Sequence, residues 1–542
     1  MTADLVLTNG HIVTMDSQQP EVTAVAIRGA NVLAVGNDDA MRELLSSNGE
    51  WIDLGGRAVT PGLVDAHVHF QGFSVFRQRV DLDEAFSLDE VLQRITEYAT
   101  QKQSISNPNN HLQWLQGRGW NQESWLDRSF PKAAKLDQIV PNLPACLRHK
   151  SGHVAWVNSK ALQLAGITAV TPDPPGGQIQ RDAGGKPTGI LFEDAMNLVT
   201  DMIPRPSLSE ITAAMLDAQT YCWQVGLTGL HDFDGRSCFQ ALQTLHQRDR
   251  LGLRIVKNIP ITRLEHAIGV GLQSGFGDDW LRIGGIKIFA DGALGPRTAT
   301  MVEPYENDPH NYGIVVTDKE EMMTYASQAS AHGLSVTIHA IGDRANHDVL
   351  DVYQAVREEE SARGVGGRLR HRIEHVQLLH PSDLNRLAEL DIIASMQPIH
   401  ATSDMKMAES FWGDRSQYSY AWRTVLDSGA TLVFGSDAPV EKIDPLPGIH
   451  AAMTRRKADG SPGKDGWFPK QKLTLQETIR AFTLAAAETS GQEKRLGSIL
   501  PGKLADLTIF DRDIFALPAD EILEVGVAGT IVGGSFKYRS LG

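Results

Sequence analysis

The sequence predicts an α/β fold in which eight strands form a (β/α)8 TIM barrel, and three observations support this prediction. Eight apolar segments have the length and composition of buried strands. Stretches with a helical pattern, such as KEEMMTYASQASAHG and SDLNRLAELD, separate the later segments, as parallel strands require. The length of 542 residues exceeds an ordinary domain, but a barrel with insertions absorbs it.

The eight strand candidates share short runs rich in Val, Ile and Leu that end near a turn or near polar residues. In chain order they are GLVDAHVHF, GLTGLHDF, LRIVKNIP, GGIKIFADG, SVTIHAIGD, HRIEHVQ, IIASMQPIH and LVFGSDAPV. Because a barrel brings the carboxyl ends of its strands into one ring, we expect functional residues at those ends.

The two ends of the chain have a different residue pattern from the middle. The first sixty residues contain three β-type runs separated by NG and GG turn signals, which predict a small antiparallel sheet. The last segment has the same pattern, and neither end is long enough to form a core of its own. We therefore predict one composite β-domain made of residues 1–58 and 497–542, with the barrel in residues 59–496.

One interval breaks the alternation of strands and helices. Residues from about 71 to 220 separate the first two strand candidates, which is far longer than a normal connection. This interval contains helical stretches and the Trp-rich segment GRGWNQESW. We predict an inserted, lid-like subdomain there, because an insertion after a barrel strand covers the mouth of the active site.

The composition argues against several kinds of partner. With 51 Lys and Arg against 66 Asp and Glu, the formal net charge is −15, and no basic cluster suited to nucleic acid is present. The opening residues do not resemble a signal peptide, and no apolar run approaches the roughly 20 residues of a membrane span. Three scattered cysteines, Cys146, Cys222 and Cys238, favour a reducing compartment. We therefore predict a cytoplasmic protein without nucleic-acid or membrane partners.

The first strand candidate carries a pair of histidines in the segment VDAHVHF. Alternate side chains of a strand point to the same side, so His67 and His69 face the same way. Two imidazoles on one face are typical of a metal site, although such a pair also arises by chance and can serve only hydrogen bonding.

Four further candidate residues end other strands of the predicted barrel: Lys287, His339, His375 and Asp437. Taken singly, each has a structural alternative: a core histidine, a lysine paired with Asp291, or an aspartate that caps the next helix. Taken together with the histidine pair, they lie at equivalent ends of five of the eight strands. This joint pattern favours one metal centre.

Ordered motifs along almost the whole chain carry a resemblance to a known family. They are ADLVLTNGHIVTMD, VTPGLVDAHVHF, GHVAWVNSKAL, IKIFADGALG, IHAIGDRAN, RIEH, GSDAPV and GSILPGKLADL. The sequence resembles the metal-dependent amidohydrolase superfamily, in its YtcJ-type branch, which includes N-substituted formamide deformylase. The resemblance implies a (β/α)8 barrel with a composite β-sandwich domain. It also implies six metal-binding positions, which fall on His67, His69, Lys287, His339, His375 and Asp437.

The resemblance gives each of these six residues an expected role. An ammonium group has no lone pair, so Lys287 must be modified or deprotonated to bind a cation. The resemblance implies an N6-carboxylated Lys287 that bridges two divalent ions, most suitably zinc, although one ion per chain is also possible. In that arrangement His67, His69 and Asp437 hold one ion, and His339 and His375 hold the other.

The predicted activity is hydrolysis of a carbon–nitrogen bond other than a peptide bond, in a small amide such as an N-substituted formamide. A metal-activated hydroxide would attack the carbonyl, and Asp437 would move the proton to the departing amine. The alternatives are a cyclic-amide hydrolase or deaminase of the same superfamily, and a non-catalytic regulatory protein that retains the fold. The resemblance also implies a homo-oligomer.

Two residues of the predicted insertion are candidate substrate contacts. His153 lies in the segment GHVAWVNSKAL, and Trp120 lies in GRGWNQESW. For both, a structural role is the alternative: a histidine bonded to backbone, and a tryptophan in the core of the subdomain.

Overall fold

The computed structural model describes residues 1–105 and 114–541. Contacts between Cα atoms divide the chain into two compact units. The first contains Met1–Phe73 and Ile211–Gly542, and the second contains Ser74–Glu210. All three cysteines are buried. In the part of the chain that the structure describes, no helix combines the length and the hydropathy needed to cross a membrane.

The strands are numbered in chain order: β1 Ala3–Thr8, β2 His11–Val13, β3 Glu21–Val22, β4 Ala24–Arg28, β5 Asn31–Gly36, β6 Leu45–Asp53, β7 Ala58–Pro61, β8 Leu63–Val68, β9 Val80–Asp81, β10 Leu115–Trp120, β11 Ala145–His149, β12 Val154–Val157, β13 Gly177–Arg181, β14 Pro187–Glu193, β15 Leu227–Asp232, β16 Arg254–Pro260, β17 Leu281–Phe289, β18 Val336–Ala340, β19 Arg372–His375, β20 Ile393–Met396, β21 Leu432–Phe434, β22 Leu507–Phe510, β23 Val527–Val532 and β24 Ser535–Arg539.

The α-helices follow the same convention: α1 Asp38–Arg42, α2 Phe70–Arg77, α3 Leu88–Ile105, α4 Ala133–Ile139, α5 Ser159–Leu164, α6 Asn197–Thr200, α7 Leu208–Gln224, α8 Arg236–Gln247, α9 Leu264–Gly269, α10 Lys319–Ala331, α11 Asp343–Ala362, α12 Arg386–Glu389, α13 Pro398–Trp412, α14 Trp422–Asp427, α15 Pro445–Thr454, α16 Leu475–Phe482 and α17 Leu484–Thr489.

Eight parallel strands of the first unit form a nearly closed barrel. Their order is β8, β15, β16, β17, β18, β19, β20 and β21. A parallel bridge between Val68 and Ala438 joins the carboxyl end of β8 to the loop after β21. These are the eight segments that the sequence predicts, so the (β/α)8 barrel is confirmed.

The local sequence explains why these segments are strands. All five residues of β18, VTIHA, and all six of β15, LTGLHD, are buried. Strands of a parallel sheet are covered on both faces, so they contain continuous apolar runs instead of an alternating pattern. Helix α10 begins where the Asp318 side chain accepts a hydrogen bond from the backbone N–H of Glu321, at 2.8 Å. This N-cap separates α10 from the loop before it.

Two further sheets of the first unit contain the strands from the ends of the chain. One has the order β5, β4, β1, β6, and the other has the order β24, β23, β22, β7, β2, β3. The second sheet therefore combines strands from both ends of the sequence. Apolar residues from both ends also form one buried cluster, which includes Leu7, Val59, Ile509 and Ile531.

The small antiparallel sheet predicted within the first sixty residues is present in β1, β4 and β5, but the Asn-Gly turn signal does not form a hairpin between β1 and β2. Strands β1 and β2 lie in different sheets, and they pair in parallel with β6 and β7. Asn9, which lies between them, has a left-handed φ of 55°. A side chain on Gly10 would lie 2.4 Å from the Leu54 side chain. The Asn-Gly pair therefore moves the chain from one sheet to the other, where a hairpin would keep it in the same sheet.

The second unit has a six-stranded sheet of its own, in the order β13, β14, β12, β11, β10, β9. Its largest apolar cluster contains Trp120, Trp125 and Trp156 together with Ile95 from α3 and Leu136 from α4. The Trp-rich segment of the sequence is therefore part of a core.

Candidate metal centre

The carboxyl ends of the barrel strands bring five of the predicted residues close together. The Nε2 atom of His67 lies 3.6 Å from Oδ1 of Asp437, and Nε2 of His69 lies 3.4 Å from the same oxygen. The ring centroid of His375 lies 4.9 Å from that of His67 and 4.6 Å from that of His339. The ligand atoms of His67, His69 and Asp437 all lie within 4.8 Å of one another, as a metal ion requires.

Each of the four histidines uses one ring nitrogen for a hydrogen bond to an acceptor. The acceptors are Glu374 at 2.5 Å for His67, Asp234 at 3.2 Å for His69, Gln397 at 2.8 Å for His375, and the backbone carbonyl of Gly292 at 2.8 Å for His339. The bonded atom is Nδ1 in the first three and Nε2 in His339. Histidines that bind metals have this arrangement, because it leaves the other nitrogen with a lone pair.

One carboxylate oxygen of Asp437 faces the histidines of this site. Its Oδ1 atom is buried and has no hydrogen-bond partner in the described chain, whereas Oδ2 lies 3.4 Å from Nε2 of His400. Burial alone would raise the pKa of Asp437. The imidazoles of His67, His400 and His69 that surround the carboxylate hold this pKa well below its usual range. The carboxylate is therefore ionised and able to bind a cation or accept a proton.

The backbone at two of these positions is strained. His375 has φ of 78° and Asp437 has φ of 60°, conformations that side chains other than glycine adopt rarely. Backbone strain of this kind concentrates at functional sites, where the surrounding structure maintains it.

Lys287 is buried next to the same group. Its Nζ atom has no hydrogen-bond partner among the described residues, and it lies 4.8 Å from the centre of the Phe233 ring and 4.9 Å from that of Phe289. Burial lowers the pKa of Lys287 to about 8. The alternative partner, Asp291, instead accepts hydrogen bonds from three backbone N–H groups, one of which belongs to Thr300.

The residues present fit a divalent metal. Four imidazole nitrogens and one carboxylate oxygen form a donor set suited to zinc and similar ions, and Lys287 can join this set only after modification or loss of its proton. Burial lowers the pKa of His67 to about 4 and that of His339 to about 3, so both rings are neutral, as a ligand must be. Burial also lowers the pKa of His69, but hydrogen bonds to Asp234 and Asp437 raise it to about 10. A metal ion would displace that proton.

Three residues of this site are absent from the set that the sequence predicts as ligands and catalysts. His400, at the start of α13, contacts Asp437, while Glu374 and Asp234 contact the histidine pair. Each could be found only indirectly in the sequence. His400 follows β20, the seventh strand of the barrel. Glu374 precedes His375 in RIEH, and Asp234 follows β15, the second strand of the barrel.

The two predicted substrate contacts lie in the second unit. Trp120 is fully buried there, and its indole N–H donates to the carbonyl of Leu147 at 2.9 Å. His153 is exposed, and its Nδ1 atom lies 2.9 Å from Oε2 of Glu193. Their contacts with substrate stay predictions.

A family model described as the amidohydrolase family matches residues 50–538. The chain belongs to the amidohydrolase family. This amidohydrolase is a metal-dependent hydrolase acting on carbon–nitrogen bonds of small molecules, and it lies in the YtcJ-type branch.

Three relatives match this amidohydrolase over nearly its whole length. The protein LONG AFTER FAR-RED 3 of Arabidopsis thaliana is 34% identical, over 99% of this chain and 92% of its own. YtcJ of Bacillus subtilis, named as an amidohydrolase, is 32% identical over 98% of each chain. N-substituted formamide deformylase of Arthrobacter pascens is 29% identical over 99% of each chain.

A solved structure supports the fold of this amidohydrolase. An uncharacterised metal-dependent hydrolase from Pyrococcus horikoshii is 26% identical in sequence and superposes with a TM-score of 0.75. The match covers 95% of this chain and 99% of that one.

Proposed function

We propose that this amidohydrolase removes the acyl group from a small N-substituted formamide or from an amide with a similarly small acyl group. The observation that carries the proposal is the buried Oδ1 of Asp437, which faces the Nε2 atoms of His67 and His69 and has no hydrogen-bond partner among the described residues. A carboxylate that faces two imidazole nitrogens suits both the binding of a metal ion and the transfer of a proton.

In this proposal six residues hold one or two divalent ions, with zinc the most suitable. His67, His69 and Asp437 form one half of the site, His339 and His375 form the other, and Lys287 lies between them. Bound ions would polarise the substrate carbonyl and lower the pKa of an attacking water.

Asp437 moves the proton in the proposed reaction. Because Oδ2 is bound to His400, Oδ1 is the oxygen that accepts a proton from the attacking water. The water oxygen forms a bond to the carbonyl carbon, and Asp437 then gives the proton to the amide nitrogen as the C–N bond breaks. The products are a carboxylic acid, which is formic acid for a formamide, and an amine.

Lys287 is proposed to carry a carboxylate group on its Nζ atom. A neutral amine attacks carbon dioxide, the N–C bond forms as one C–O π bond opens, and the nitrogen passes a proton to solvent water, which yields a negatively charged carbamate. The pKa of about 8, which burial causes, supports this step because it enlarges the neutral fraction of the amine. The carbamate oxygens would supply ligands that an ammonium cannot.

An apolar wall beside the site supports a substrate with an apolar substituent. The Phe289 side chain, which follows Lys287 by two residues on β17, is 43% exposed, and its ring lies 5.2 Å from that of His339. An exposed aromatic ring next to reactive groups is typical of a ligand pocket.

The test measures metal content and turnover together. We expect one or two equivalents of zinc per chain in purified protein, and hydrolysis of N-benzylformamide that chelation abolishes and zinc restores. The substrate panel includes a cyclic amide and adenine. Turnover of these ring compounds alone would contradict the formamide proposal, and full metal content without any turnover would favour a regulatory protein.

Lys287→Ala tests the carbamate separately. We expect this variant to lose metal and at least 100-fold in kcat, because it removes a ligand as well as the charge. Wild-type protein equilibrated with 13C-labelled bicarbonate should show a carbamate carbon signal that Lys287→Ala lacks. Unchanged metal content and rate in the variant would refute the bridging role.

A further inference from the structure

His67 and His69, at the end of β8, have hydrogen-bond partners of a different kind from those of His339 and His375. His67 is bonded to Glu374, whose side chain is fully buried. The other oxygen of Glu374 accepts hydrogen bonds from the Thr337 hydroxyl, at 2.5 Å, and from Nε of Arg372. Arg372 also donates to the carbonyl of Ala66, on the strand that carries His67, at 2.6 Å.

A second carboxylate and a second buried cation support His69. Oδ1 of Asp234 lies 3.2 Å from Nδ1 of His69, and its Oδ2 accepts from the backbone N–H of Gly72 at 2.9 Å. The fully buried Lys257 lies 2.6 Å from Asp232 and also donates to the backbone carbonyl of Asp234. The lysine therefore stabilises the turn that carries Asp234.

The other two histidines are bonded to neutral acceptors. Nδ1 of His375 is hydrogen-bonded to the side-chain oxygen of Gln397, and Nε2 of His339 is hydrogen-bonded to the backbone carbonyl of Gly292, both at 2.8 Å. A neutral acceptor orients a ring and selects the nitrogen that carries the proton, but it adds no charge.

This difference has a chemical consequence. An ionised carboxylate only accepts hydrogen bonds, so Nδ1 of His67 and of His69 carries a proton and Nε2 is the nitrogen left to bind a metal. A carboxylate partner also makes the imidazole a stronger donor to a metal than an amide or carbonyl partner does. A buried carboxylate remains ionised where a cation or several N–H groups compensate its charge, as Arg372 does for Glu374.

We infer that Glu374 and Asp234 are positioning residues that make the His67 and His69 half of the centre the tighter metal-binding position. The inference rests on the metal ligands proposed above. It adds a ranking of the two halves, together with the two carboxylates that cause it.

The test titrates metal-free protein with Co(II) and with zinc against a competing chelator, with the visible spectrum of Co(II) as a readout independent of activity. Glu374→Gln keeps the size of the side chain but removes its charge. We expect it to weaken the tightest binding step by 10- to 100-fold and to alter the Co(II) spectrum.

Two control variants isolate the effect. Thr337→Val removes a different hydrogen bond to Glu374 and leaves the contact with His67 in place. Gln397→Ala removes the neutral partner of His375. We expect both variants to retain the affinity of the tightest step to within about threefold.

The outcomes separate this inference from the proposed function. A wild-type chain that binds no metal would overturn the proposed ligands themselves. A wild-type chain that binds metal, with a tightest step that Glu374→Gln leaves unchanged or that Gln397→Ala weakens equally, would overturn only the ranking. If Glu374→Gln does not fold, Asp234→Asn makes the same test at His69.

Discussion

At the scale of single residues, His400 determines how Asp437 is presented. The Nε2 atom of His400 lies 3.4 Å from Oδ2 of Asp437, and its Nδ1 atom lies 3.9 Å from Glu441. Burial lowers the pKa of His400, but the neighbouring carboxylates of Asp437 and Glu441 raise it to about 10. A charged imidazole at Oδ2 leaves Oδ1 as the oxygen for ligand or proton.

We predict that His400→Ala lowers kcat by about 100-fold without loss of metal, because His400 orients Asp437, the proton carrier of the proposed reaction. His400→Gln should recover part of the rate, because an amide can still donate to Oδ2. Steady-state kinetics and elemental analysis of the same samples provide the test. Loss of metal together with the rate would instead identify His400 as a ligand.

At the scale of elements, a glycine allows two strand ends to meet at the site. Gly435 directly follows β21, and a Cβ atom there would lie 2.4 Å from the backbone nitrogen of His67 and 2.7 Å from Asp65. Asp65 binds the backbone N–H groups of both His67 and Ser436 at 3.0 Å. The ends of β8 and β21 are thus held in close contact, which positions His67 and Asp437 together.

Gly435→Ala should therefore displace the His67 backbone. We expect a loss of about 1–3 kcal/mol in the free energy of unfolding, as overpacking causes, and weaker metal binding. Gly235→Ala is the matched control, because a Cβ at Gly235, in the loop after β15, has no neighbour within 4 Å among the described residues. Calorimetry and metal titration measure both effects, and equal behaviour of the two variants would contradict the prediction.

Helix α16 offers a pH-dependent contribution to stability. Its N-terminus is a capping box between Thr474 and Glu477. The hydrogen bond from Arg423, together with those from Thr474, lowers the pKa of Glu477 to about 2. A carboxyl whose pKa is lower in the folded state stabilises the protein above its unfolded pKa of about 4.5, and this stabilisation is lost as the pH falls toward 2.

Glu477→Gln should lower the free energy of unfolding by about 1 kcal/mol at pH 7, and the difference from wild type should shrink between pH 4.5 and pH 2. Asp427→Asn is the control. Asp427 is the exposed partner of the same arginine, at 3.2 Å, and we expect no measurable effect. Urea unfolding at several pH values tests this, and a pH-independent difference would contradict the assignment.

At the scale of the whole molecule, a buried ion pair joins the C-terminal segment to the barrel. Arg254 at the start of β16 and Asp506 just before β22 are 7% and 6% exposed. Nη2 of Arg254 lies 2.8 Å from Oδ1 of Asp506, which also accepts from the backbone N–H of Gly533. The pair thus connects two parts of the first unit that are separated by 252 positions.

Asp506→Asn should cost about 3–5 kcal/mol in the free energy of unfolding, because it leaves the arginine charge buried without a counter-charge. Arg539→Gln, at the exposed pair with Glu50, should cost at most about 1 kcal/mol. Thermal unfolding of both variants makes the comparison, and equal losses would show that burial does not determine the value of these pairs.

The predicted homo-oligomer and the cytoplasmic location also belong to this scale. Both stay predictions. Light scattering of the purified protein measures the first, and fractionation of cells that produce it measures the second.

The sequence by itself determined the barrel and predicted which side chains meet at its carboxyl edge. Strands that are covered on both faces have continuous apolar runs, so all eight barrel strands could be recognised from the local sequence. Because parallel strands share one carboxyl edge, residues as distant as His67 and Asp437 were predicted to meet.

Only the tertiary structure decided the hydrogen-bond partners of these side chains. Glu374 lies 307 positions from His67, and neighbouring side chains on a strand point to opposite sides. Its place beside His375 in RIEH therefore did not indicate that it contacts His67. The sequence also did not predict that β1 and β2 lie in two different sheets, because local periodicity identifies a strand but not the strand with which it pairs.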